Sequence, residues 1–290
     1  MQPKPKLTFD CSGLNKLADD ADADALLAGI TESFFTRVTA TNLEEIAACR
    51  APRSKQLMET AKRLIYAGDC IQSFAMIVEG LIEQSINDST LPWTAFNPRW
   101  MNGEIEAARQ TLLTNEMAAK QKAALSRLDK NFKGMFEKVR PQFENFFADG
   151  GHLPNDFQEL AAVMEANPST YWNFAMMVYE DSAKCRPDQQ TLAKLLDRCP
   201  PFRALVWAFC IAEYERCIRD IRAGPSFRAG RCDVYSAVYL PYCDQFVTDD
   251  KKQCAALREV VKAARVDTEI LLYNDFAGPL LGKKKSAMTS

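Results

Sequence analysis

Short runs along the chain place apolar residues at the spacing of strands. Lys6-Leu7-Thr8-Phe9 leads into Asp10-Cys11-Ser12-Gly13, and Phe35-Thr36-Arg37-Val38-Thr39 is β-branched and apolar. Gln245-Phe246-Val247 ends at Thr248-Asp249-Asp250, and Glu269-Ile270-Leu271-Leu272 makes a further strand. The segments between them carry apolar residues at helical spacing. A helix is predicted from Leu14 to about Ala28, and Asn42 is placed to cap one carrying Leu43, Glu44, Glu45 and Ile46. Cys232 to Tyr239 reads as a short helix. Another runs from Lys251 to about Ala264 and turns Cys254, Leu257, Val260 and Val261 inward. Strands that alternate with helices define a parallel α/β sheet.

The middle of the chain reads differently. Over residues 54–222 the pattern is almost wholly helical, with Leu57, Ala61, Leu64, Ile65, Ile71, Ala75, Val78, Leu81 and Ile82 recurring at three- and four-residue steps and Gly68 as a break. Helices are predicted near 104–127, 130–148, 155–165, 171–184, 188–197 and 203–222, the last with one apolar stripe through Trp207, Cys210, Ile211 and Tyr214. No fixed period recurs, which argues against a solenoid. The expected fold class is therefore α/β, a parallel sheet flanked by helices and discontinuous in sequence. Residues 1–53 and 223–277 form the core, 54–222 a mostly helical inserted region and 278–290 a loose tail.

Composition narrows the function. The 290 residues carry 36 Lys and Arg against 38 Asp and Glu, a net charge of −2 that excludes a general basic coat for nucleic acid but leaves room for a local basic groove. No apolar run approaches the roughly 18 residues that a membrane span needs. The opening Met1-Gln2-Pro3-Lys4-Pro5-Lys6 lacks a secretory apolar segment, so a cytoplasmic location and no membrane partner are expected. The 10 cysteines include no Cys-x-x-Cys pair and read as small buried apolar residues. With one histidine, His152, a zinc site or a Ser-His pair is poorly supplied. Phe132, Phe136 and Phe143 recur on one helix as core residues, while Trp93, Phe96 and Trp100 lie in a Pro- and Asn-rich stretch.

Chemistry then falls to the carboxylates. Asp10 directly follows the first strand, and Asp249 and Asp250 lie past the strand ending at Val247. Glu44 and Glu45 sit on the helix after the second strand, and Asp233 near the start of the helix before the Gln245 strand. Ligands bind in open α/β sheets outside the carboxyl ends of strands. Such acids also serve as ordinary helix caps. If they converge, they repel one another unless a cation joins them, and oxygen-only ligands favour Mg²⁺ or Mn²⁺.

These residues resemble the PIN-domain nucleases. Phe9-Asp10-Cys11-Ser12 looks like the opening Asp-x-Ser motif. Asp233-Val234-Tyr235-Ser236-Ala237 followed by Asp244-Gln245-Phe246-Val247-Thr248-Asp249-Asp250 looks like the closing one, and Leu43-Glu44-Glu45-Ile46 like the second acidic position. The resemblance implies a PIN-like sheet and a metal-dependent endoribonuclease. Asp10, Glu45, Asp233 and Asp250 would be the metal-binding catalytic acids, with Ser12 and Thr248 supporting them. Glu44 and Asp249 are the neighbouring acids, and Glu45 fits the register better than Glu44. Arg228, Arg231, Lys251 and Lys252 border the closing acids and would track an RNA backbone. The inserted region would restrict access or hold a regulatory protein. The rival expectation is a catalytically inactive PIN-like protein that serves as an interaction module.

Overall fold

The computed structural model describes residues 3–87, 93, 114–152, 154–166, 168–219 and 230–287. At its centre is a five-stranded, all-parallel sheet in the order β3-β2-β1-β4-β5. Its strands are β1 (Lys6–Phe9), β2 (Phe35–Thr39), β3 (Gly68–Ile71), β4 (Gln245–Thr248) and β5 (Glu269–Leu272). All but β3 stand where the apolar pattern puts them. β3 lies inside the stretch read as helical, because Gly-Asp-Cys-Ile is too short and too mixed to interrupt a helical period. It is a strand by virtue of its partner: residues 68–71 pair in register with Thr36 to Thr39. Gly68 permits that approach, since a Cβ there would collide with the Thr36 backbone.

Both faces of the sheet are covered, as a parallel sheet requires. One face carries Leu7, Phe9, Val38 and Val247, packed under α1 (Cys11–Asp19), α2 (Ala23–Ser33), α4 (Arg53–Tyr66) and the last helix. The predicted single helix from Leu14 is in fact α1 and α2, broken where the Asp20 side chain accepts from the Asp22 N–H at 2.9 Å. Between β2 and α4 lies α3 (Ala40–Ala47).

The other face carries Phe246, Ile270 and Ile71, and its apolar cluster continues without a break into the helices of the middle region. These are α5 (Phe74–Asn87), α6 (Asn115–Ala148), α7 (Phe157–Ala166), α8 (Ser169–Ala183), α9 (Gln189–Arg198) and α10 (Pro200–Glu213). α6 has 34 residues, about 50 Å of helix, with Pro141 inside it. Phe132 and Phe136 are core residues as expected, and Trp93 packs edge-on against Tyr242 at 5.4 Å. Phe96, Trp100 and residues 104–113 of the predicted 104–127 helix lie outside the described residues. α10 is buried nearly all round rather than along one stripe, and it passes into a π-helical turn at Tyr214–Arg219.

The chain returns to the sheet through α11 (Arg231–Tyr235), a 3₁₀ turn (Ser236–Tyr242), β4, α12 (Lys251–Ala263) and β5. It ends in α13 (Tyr273–Ala287), so the segment from 278, expected to be loose, continues as helix through Ala287. Tyr273, Phe276 and Ala277 anchor that helix in the core. Among the described residues no helix is long and apolar enough to cross a membrane.

Two measurements test this packing. Gly68→Ala should cost about 1–3 kcal/mol in urea unfolding, because the β2–β3 pair must part to admit the methyl group. An unchanged midpoint would refute the pairing. Glu213, buried at the end of α10, has its carboxyl pushed up to about 7 by desolvation. The folded chain thus keeps a proton that the unfolded chain releases near its ordinary value, and stability falls as pH rises through about 7. Glu213→Gln should flatten that slope and raise Tm by several degrees at alkaline pH. A Tm profile identical to wild type would contradict the burial.

Candidate active site

The sheet order creates the site. β1 and β4 are neighbours, yet the helix after β1, α1, packs on one face and the helix after β4, α12, on the other. Their carboxyl ends therefore part, leaving the crevice expected at a switch point. Asp10 stands at the end of β1, and its backbone N–H donates to the Val247 carbonyl of β4 at 3.0 Å. Its carboxylate caps α1: the Gly13 N–H donates to Oδ1 at 2.6 Å. Ser12 Oγ and Thr248 Oγ1 each donate to Oδ2 at 2.8 Å. Ser12 in turn accepts from the Asp249 N–H at 2.9 Å and the Asp250 N–H at 3.2 Å, which ties the start of α1 to the end of β4. Gly13 lets the helix sit this close, since a Cβ would come within 2.7 Å of the Val247 carbonyl.

The other acids reach the same place from three further segments. Asp250 caps α12, accepting from the N–H groups of Lys252 at 2.7 Å and Gln253 at 3.0 Å. Asp233, in the first turn of α11, accepts from the Gly230 N–H at 2.6 Å. Glu45 is carried by α3, whose start is set by a capping box in which Thr39 is the cap and Asn42 the third helical residue. Asn42 is thus not the cap itself, as its place in sequence had suggested. Asp10, Glu45, Asp233 and Asp250 all line one cavity of about 160 Å³, with Ser12, Asn42 and Gln253 among its other polar walls. Glu44 lies outside that lining, half-buried and within the field of Arg231. Asp249 is exposed and contributes its backbone N–H to Ser12.

Electrostatics mark this cavity. Burial pushes the Asp10 carboxyl up to about 7, although its Gly13, Thr248 and Ser12 hydrogen bonds act in the opposite sense; the Asp233 charge adds to the rise. Burial also pushes Asp233 up to about 6 against its bond from Gly230, with the charges of Glu45 and Asp250 adding to it. Cys11 and Cys232 flank Glu45, and both thiols are driven upward, first by burial and then by Glu45. Raised in this way, both stay protonated thiols, and Cys11 Sγ accepts from the Asn42 amide at 3.2 Å.

Of the expected substrate cations, Lys251 and Lys252 are exposed in the first turn of α12. Arg231 is a correction: it is buried, lies over the Tyr235 ring at 5.7 Å and is 3.9 Å from Asp129 of α6. Its place beside Asp233 in the sequence predicts a cation open to an RNA backbone, but the arginine is held inside by the aromatic ring and that carboxylate. Arg228 lies outside the described residues. Gln253 and the two thiols were not anticipated. Gln253, three residues after Asp250, has the spacing of a capping box and so could have been found; its Oε1 lies 3.2 Å from Thr248 Oγ1.

The donor chemistry, carboxylates with no imidazole, is of the type a hard divalent cation takes, and burial is the main cause of the raised Asp10 and Asp233 carboxyls. The acids line the cavity without meeting at one point: among the described residues, no group of three or more Asp, Glu, Cys or His side chains is placed to hold a metal ion. Comparison with known protein families, curated proteins and solved structures finds no match for this chain.

Ser12→Ala removes a donor to Asp10 and the acceptor of the Asp249 N–H. It should destabilise the chain by about 2 kcal/mol in urea unfolding. A loss near zero would show that the β1–β4 link does not depend on this hydroxyl.

Proposed function

We propose that the chain is a metal-dependent phosphodiester hydrolase, an endoribonuclease with a PIN-like core. The observation that carries this reading is the convergence of Asp10, Glu45, Asp233 and Asp250, from segments as distant as β1 and α12, on one cavity at the switch point. Asp10, Asp233 and Asp250 would hold Mg²⁺ or Mn²⁺, with Glu45 beside them. When bound, such an ion lowers the pKa of water and stabilises a leaving oxygen. The chain's own groups prepare the place. Ser12, Thr248 and the Gly13 N–H fix the Asp10 carboxylate, while the Cys11 and Cys232 thiols share the cavity lining with Glu45. Lys251 and Lys252, next to Asp250, are free to meet an approaching phosphate backbone.

In this reading the core is discontinuous, formed by both ends of the chain around the helical insertion, with α4 and β3 added to its first part. The ten free thiols suit a reducing cytoplasm. The open arrangement of the acids favours a second reading, an inactive PIN-like interaction module that needs no ion.

Cleavage of end-labelled single-stranded RNA and DNA, in Mn²⁺, Mg²⁺ or EDTA, separates the two. RNA should be cut only with metal, and Asp10→Asn and Asp250→Asn should each lower the rate at least about 100-fold. Mn²⁺ affinity by calorimetry should weaken as pH falls through about 7 and about 6, where protons reclaim Asp10 and Asp233. Full activity in both mutants would refute the assignment. Absence of both cleavage and metal binding would refute the nuclease and favour the interaction module.

A further inference from the structure

Beside the acidic cavity runs a larger groove of about 890 Å³, and Cys11, Glu45 and Cys232 line both. One wall is the turn from α3 into α4, which carries Arg50. The other is the first half of α6, which carries Lys122. Along that wall α6 presents the small side chains of Ala119, Ala123 and Ser126. Arg50 and Lys122 are both exposed, and neither has an ion-pair partner among the described residues. The groove's remaining cation and one of its acids are already engaged. Arg53 is held by Asn15 and Asp19, and Asp129 faces Arg231.

We propose that this groove seats the sugar-phosphate backbone of a single nucleic-acid strand on its way to the acids, with Arg50 and Lys122 on its phosphates. The groove's role rests on the nuclease reading of the cavity and adds to it the path and the strandedness of the substrate. A phosphate chain is repelled by clustered carboxylates, so it must approach along a flank that carries free cations. Here Arg50 and Lys122, carried by two different elements, line a groove that shares Glu45 with the cavity, while Lys251 and Lys252 stand exposed beside Asp250. Its volume is that of a pocket for a small ligand, roughly 300–1,000 Å³, which admits a short stretch of one strand and not a duplex. None of the described residues lining it is aromatic, so it offers no stacking platform. Affinity should then come from charge, tolerate any base sequence and fall steeply with salt.

The test is fluorescence anisotropy of a labelled mixed-sequence RNA of about ten nucleotides, bound by the full chain in EDTA so that nothing is cut. Arg50→Glu and Lys122→Glu should each weaken binding about tenfold, the worth of one charge-assisted hydrogen bond. Each should also reduce the slope of log affinity against log salt by about 0.7. Lys262→Glu, an exposed charge reversal on α12 away from the groove, should leave both unchanged. A matching duplex should bind more weakly than the single strand, and polyglutamate should compete poorly. No binding by wild type, wild-type behaviour in both groove variants, equal losses in Lys262→Glu, tight duplex binding, or displacement by polyglutamate as effective as by unlabelled RNA would each overturn the groove. The two readings fail separately. Binding that needs Arg50 and Lys122 in a chain that never cuts would keep the groove and remove the nuclease, whereas metal-dependent cutting indifferent to both cations would do the reverse.

Discussion

At the end of β1 the carboxylate of Asp10 leaves water and is held by a backbone N–H and two hydroxyls, and the arrangement around it follows from that burial. A buried carboxylate needs donors or a counter-charge. The chain supplies donors from both sides of the crevice: Gly13 and Ser12 at the start of α1, and Thr248 at the end of β4. The same bonds keep the ends of β1 and β4 in register where their helices diverge. The donors do not fully offset the loss of water, which is why the Asp10 carboxyl holds its proton up to about 7.

The central strands were legible because each carries an apolar run next to a turn or an acid: Leu7 and Phe9 before Asp10, Phe246 and Val247 before Thr248. β3 was not, since Gly68 to Ile71 has little β signature of its own and owes its conformation to the backbone of β2. The last helix was hidden for a related reason. Gly278, Pro279 and the lysines after them read as loose chain, but Tyr273 and Phe276 secure the first turn and the helix propagates. Asp10 and Asp250 could be picked out because they sit beside strand ends, whereas Glu45 and Asp233, inside short helices, stood out only by the family resemblance. The lining by Asn42 and Gln253, and the turning inward of Arg231, depend on helix starts and on an aromatic neighbour that local pattern does not reveal.

The acids also do two things at once. Asp10 and Asp250 cap α1 and α12, and Asp233 closes the first turn of α11, while all of them face the same cavity. The ordinary structural role of an acid at a helix start and the chemical role are therefore not alternatives here. The capping bonds hold each carboxylate's direction, which is what a preorganised site requires. The arrangement also means that Asn, which can still accept from a backbone N–H, is the substitution that best separates charge from fold.

The long helix α6 has its own consequence. Its first turns border the groove next to α3, and farther along Phe132 and Phe136 are locked into the apolar layer beside the π-helical turn. Phe132 also lies 6.3 Å from the Tyr235 ring at the end of α11, the helix whose first turn carries Asp233. The aromatic packing that seats the long helix therefore bears on one of the acids as well as on a wall of the groove, so a cavity made there by truncating Phe132 would be felt at both.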